Sequence, residues 1–63
     1  MARYNAWLSD KKCNPIEKTD RIFNAPTKRW VVKHLAHENN IKVEHNTLIV
    51  RLPNGNCWNV SKL

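Results

Sequence analysis

Three groups of side chains in this sequence could do chemistry: the histidines, the cysteines, and a row of cations with a tryptophan beside it. His34 and His37 form an H-x-x-H pair, and His45, Cys13 and Cys57 are the other soft donors. Zinc sites with a readable signature use clustered pairs such as C-x-x-C, or a glutamate between histidines as in H-E-x-x-H. Neither pattern occurs here, so neither a metal nor another cofactor is expected. A metal-independent ribonuclease needs only a histidine as base and a lysine for the phosphate. No acid–base pair is set by spacing, however, and catalysis ranks third behind two kinds of binding. The ordinary fate of such histidines is a solvated surface.

The cations carry more information. In "PTKRWVVKHLAHENN", residues 26–40, Arg29, Lys33 and His37 recur at i, i+4 and i+8. At roughly 100° per residue they form one helical stripe, with Val31, Val32, Leu35 and Ala36 on nearly the opposite face. Trp30 falls beside the cationic stripe, with His34 adjoining it. Two readings follow. Trp30 is covered by Tyr4 or Trp7 from the N-terminal segment, because small domains rarely leave a large aromatic unburied. Alternatively, it belongs to a contact surface. In a nucleic-acid complex Arg29 would meet a phosphate or a guanine edge, Lys33 a phosphate, and Trp30 an unpaired base or a sugar. Lys28, Lys42 and Arg51 would support them.

The elements that must position these residues are short. The chain has 63 residues, enough for a single domain spanning 1–63. A domain of that size buries only about 60% of its unfolded surface. A deep enclosed active site is not expected, and a homodimer or another partner would add stability. Thr27 is a good N-cap for the central helix, and Asn39 or Asn40 supplies its stop. Upstream, "NPIEKTDRIFN" predicts a short helix, with Asn14 as cap, Pro15 at its first position and Glu17 completing a capping box. Tyr4, Trp7 and Leu8 have the i, i+3, i+4 spacing of a helical face, in a segment that could equally be an extended arm docked on the core.

After residue 40 the period changes. "IKVEH" alternates, "TLIVRL" is rich in β-branched residues, and "PNGN" contains the Asn-Gly hairpin signal before "CWNVS". A two-residue Asn54–Gly55 turn would set Leu52 opposite Cys57 and Arg51 opposite Trp58, the latter pair suited to a cation–π contact. A further hairpin through Asn46 would make a three-stranded meander. The expected class is α+β: one or two short helices followed by a two- or three-stranded antiparallel meander. This order, over residues 14–61, resembles a reduced winged helix-turn-helix. The resemblance implies DNA as target, a second helix that reads it and a hairpin wing.

Eleven Lys and Arg against five Asp and Glu give a formal charge of +6. The excess favours nucleic acid, an anionic surface or an acidic protein. It is spread evenly: residues 1–26 carry five basic and three acidic groups, 27–40 three and one, 41–63 three and one. A polybasic tail is thereby excluded, and a charged surface on a folded body remains. The start "MARYNAWLSDKK" does not read as a signal peptide, and no apolar run approaches a membrane span. With Cys13 and Cys57 expected as reduced thiols, the location expected is cytoplasmic, without membrane contact.

The leading expectation is a non-enzymatic nucleic-acid-binding regulatory or accessory factor, DNA before RNA. The alternative is a small inhibitor or adaptor of a larger protein, anchored by Trp30, Trp58 and the last strand as an unpaired edge.

Overall fold

The computed structural model describes residues 1–42 and 49–63. Its order is β1 (Ala2–Ser9), β2 (Arg21–Ala25), α1 (Lys28–Glu38), β3 (Val50–Arg51) and β4 (Cys57–Lys62). The class is α+β: one four-stranded antiparallel sheet in the order β2-β1-β4-β3, with α1 on one face. Among the described residues α1 is the only helix, so the expected helix–helix–hairpin order gives way to ββαββ. The further hairpin through Asn46 falls within 43–48, outside the described residues. Among the described residues no helix is long and apolar enough to cross a membrane.

The N-terminal segment takes the extended alternative, but as an interior strand rather than an arm. β1 pairs with β2 on one side and β4 on the other. Side chains alternate across a strand. Tyr4 and Ala6 are therefore buried under α1, with Leu8 partly buried against them, while Arg3, Asn5 and Trp7 point to the opposite face. An i, i+3 spacing shares a face on a helix and splits between faces on a strand, which is why Trp7 parts from Tyr4.

The short helix expected around residues 15–23 is absent. Asp10 instead organises a loop, accepting from the N–H groups of Lys12 (2.8 Å) and Asn14 (3.0 Å). Cys13 and Lys18 adopt left-handed φ values of 66° and 62°. The loop is laced to β1. Ile16 N–H donates to the Leu8 carbonyl, and the Leu8 N–H donates to Thr19 Oγ1. "RIFNA" then pairs in five-residue register with β1. Its period of two places Phe23 and Ala25 inward and Ile22 and Asn24 outward, an arrangement that helix periodicity could not satisfy.

α1 forms as its sequence demands. Thr27 Oγ1 accepts the Trp30 N–H at 3.2 Å. At the other end Asn40 takes φ 56°, its N–H donates to the His37 carbonyl, and Ile41 N–H donates to Ala36 at 2.8 Å. That is the Schellman closure, with asparagine in the left-handed position glycine usually takes. The apolar face (Val31, Val32, Leu35, Ala36) is buried against Tyr4, Ala6, Ala25, Val50, Trp58 and Val60.

The hairpin differs from expectation by one residue. Its loop has three residues, Pro53, Asn54 and Gly55, closed by Leu52 N–H to the Asn56 carbonyl (2.7 Å) and Gly55 N–H to the Leu52 carbonyl (3.0 Å). Pro53 suits the second position of a type I turn, and Gly55, at φ 95°, takes the left-handed position that follows. Val50 therefore opposes Trp58, and Arg51 opposes Cys57. A one-residue slip exchanges the faces of a strand. Here it puts Val50 in the core and Arg51 on the face away from α1. β4 lies between β1 and β3, so the last strand is not an unpaired edge.

Candidate nucleic-acid interface

Trp30 is held by its own helix. Its ring stacks flat on His34, one turn later, with centroids 5.2 Å apart and planes 5° apart. His34 in turn meets Phe23 of β2 edge-on at 5.6 Å. Neither Tyr4, buried on the core side, nor Trp7, on the opposite sheet face, covers it, and Trp30 remains 43% exposed.

The exposed surface of α1 thus resolves into two parallel lines, each with four-residue spacing. Trp30, His34 and Glu38 run along the flank above β2. His34 Nε2 lies 3.2 Å from Glu38 Oε2, and Arg21 of β2 reaches the same oxygen at 3.1 Å. The Arg21 guanidinium also sits 4.8 Å from the Phe23 ring centroid and 5.9 Å from that of Trp58. The second line is Arg29, Lys33 and His37. Lys33 and His37 are exposed, while Lys28 and Arg29 are half-buried. Among the described residues both ion pairs end on Glu38, and neither Arg29 nor Lys33 has an acidic partner.

The helix therefore brings Arg29, Trp30, Lys33 and His37 onto one continuous surface; Lys28, one turn before Val31 and Val32, starts on the core-facing side and does not join them. Lys42 is exposed just beyond the helix end. Arg51 does not join them. It lies on the far side of the sheet, lining a hollow of about 220 Å³ with Trp7, Ser9, Cys13, Ile49, Cys57 and Asn59. The Arg51–Trp58 cation–π pair is likewise absent, because the actual register separates them by the thickness of the sheet. Arg21 takes that place over Trp58. Trp58 itself is only 8% exposed, so it cannot serve as a surface anchor for a protein partner.

Sequence reasoning passed over the supports of Trp30: His34 as its stacking partner, and Phe23, Arg21 and Glu38 behind it. The i, i+4, i+8 spacing of Trp30, His34 and Glu38 was the available signal for the helical part. Arg21 and Phe23 could be placed only once β2 was known. Cys13 and Cys57 are free thiols. Among the described residues no three His, Cys, Asp or Glu side chains gather as a metal site would require, and His45 lies outside those residues. Among the described residues, the carboxyl with a clearly displaced pKa is in the loop. Asp10 is held below the ordinary aspartate range by the Asn14 N–H foremost, with further help from Lys12 against a desolvation that opposes it.

No protein-family model matches this chain, and neither the curated proteins nor the solved structures contain a significant match to it.

Proposed function

We propose that this protein is a small, non-catalytic nucleic-acid-binding module that engages unpaired bases through the outer surface of α1. The observation that carries this reading is the half-exposed Trp30 ring, pre-oriented by its stack on His34 and flanked by cations that have no acidic partner among the described residues. A stacked aromatic beside a basic track is the recurrent arrangement for single strands, where each stacked base contributes about 1–3 kcal/mol. Lys33 and Arg29 meet phosphates, Trp30 takes a base, and His37 and Lys42 extend the positive track. Reading duplex DNA in the winged-helix manner takes a two-helix unit; α1, the only helix among the described residues, with its exposed indole suits single-stranded DNA or RNA better.

The test is a salt-dependent titration of single- and double-stranded DNA and RNA with wild type, Trp30→Ala and Lys33→Ala. Binding should favour single strands and fall steeply with salt. Trp30→Ala should weaken it about tenfold or more, and Lys33→Ala should lower the magnitude of the salt slope by about 0.7. Absence of binding by folded wild type at low salt would refute the proposal.

A further inference from the structure

The geometry points to a homodimer formed by antiparallel pairing of β2 with β2 of a second copy, extending the four-stranded sheet to eight. The inference stands on the strand's hydrogen-bonding pattern and does not depend on the nucleic-acid reading.

The direction of the backbone groups can be read from β1. Leu63 N–H donates to the Arg3 carbonyl at 2.9 Å, on the β4 side. Leu8 is engaged on the other side, its carbonyl by Ile16 N–H and its N–H by Thr19 Oγ1. Backbone groups alternate in direction along an antiparallel strand. Ala2, Tyr4 and Ala6 therefore face β2 and bond Ala25, Phe23 and Arg21, their partners in register. Ile22 and Asn24 must then turn their N–H and C=O groups away from the sheet.

β2 ends the strand order, so these four groups point to a side that holds no strand among the described residues. Within Arg21–Ala25 there is no lysine, no proline and no break in the register, and the one charged residue, Arg21, is held by Glu38 on the α1 face. Its outward groups are self-complementary. A two-fold axis through Phe23 sets Ile22 opposite Asn24 of the partner subunit, and Asn24 opposite Ile22 of the partner subunit. Both are hydrogen-bonded pairs, giving four N–H···O=C bonds across the seam.

Exposed apolar surface flanks this edge on both faces of the sheet. Ile22 is 52% exposed on the open face, and Trp30 overhangs the α1 face through His34 and Phe23. Pairing about that axis covers Ile22, brings the two Phe23 side chains together, and leaves both helices on the same face. The two Trp30–His34 stacks then border one seam. Pro26, which has no N–H to donate, ends the pairing on one side.

Sedimentation equilibrium of the wild-type chain without nucleic acid, from ten to several hundred micromolar, tests this. The expected mass is twice the 7.4 kDa of the chain. Asn24→Pro removes an outward N–H that β1 does not use, and Ile22→Lys puts a charge on an exposed edge position. Each should weaken dimerisation about tenfold or more while circular dichroism remains that of wild type. If Asn24→Pro unfolds the chain, Ile22→Lys decides alone. A monomeric wild type throughout that range would overturn the proposal, as would a dimer that folded Ile22→Lys leaves intact.

Discussion

The two faces of this molecule each show a tryptophan and an arginine, but in different company. On the α1 face, Trp30 is braced by His34, and Arg29 and Lys33 have no acidic partner among the described residues. On the open sheet face, Trp7 and Arg51 line a hollow with Ser9 and Asn59; Arg51 too has no acidic partner among the described residues, while the amides of this face are bonded. Asn59 Nδ2 donates to Ser9 Oγ at 2.9 Å, and Asn5 Nδ2 to Asp20 Oδ1 at 3.2 Å. Half-exposed aromatics are thus poor discriminators by themselves. What separates the faces is the company of the ring: Trp30 stacks on His34 beside the row Arg29, Lys33 and His37, whereas Trp7 shares its hollow with Arg51 and otherwise uncharged neighbours.

The strongest way to break that comparison is to remove what both faces share. Leu35 is fully buried between α1 and the sheet. Leu35→Ala should cost about 2–5 kcal/mol of stability, read by denaturant titration, and should abolish any activity of either face. A smaller effect sharpens the contrast. Arg51→Ala should leave nucleic-acid affinity and its salt slope unchanged where Lys33→Ala alters both. If Arg51→Ala costs as much as Lys33→Ala, the open face takes part in binding and the distinction fails.

The smallest effect lies in the Asp10 loop. The folded-state pKa of Asp10 is depressed, so its contribution to stability is present above the unfolded aspartate pKa. That contribution is lost as pH falls from there through the folded value. Asp10→Asn should flatten acid unfolding in that window and leave the nucleic-acid titration at neutral pH untouched. An unchanged acid transition in this variant would mean that the loop hydrogen bonds do not report on global stability.

How much of this was readable beforehand varied sharply by element. α1 was legible almost to the residue: the Thr27 cap, the Asn40 stop, the Val31, Val32, Leu35 and Ala36 face, and the cation row with Trp30 at its margin all stand as their spacing implied. The hairpin was legible as a hairpin but not in register, because Pro53 adds a type I position before Gly55 and lengthens the turn by one. The N-terminal third was the least legible. Tyr4, Trp7 and Leu8 fit a helix as well as a strand, and Asn14, Pro15 and Glu17 carry a capping signal that the loop around Asp10 overrides. Arg51 entered the candidate surface through the winged-helix reading, as a hairpin residue flanking the helix, and the sheet places it on the face away from α1.

The sequence alone therefore determined what is settled within one turn of backbone: the helix, its caps, its buried stripe and the four-residue spacing of its outer lines. These rest on i to i+4 contacts that every copy of the segment carries with it. Tertiary structure decided that residues 2–9 and 21–25 are strands, that β4 is interior, and on which side of the sheet Arg51 and Trp7 emerge. Strand partners are remote in sequence, and a shift of one residue in their pairing exchanges inside for outside.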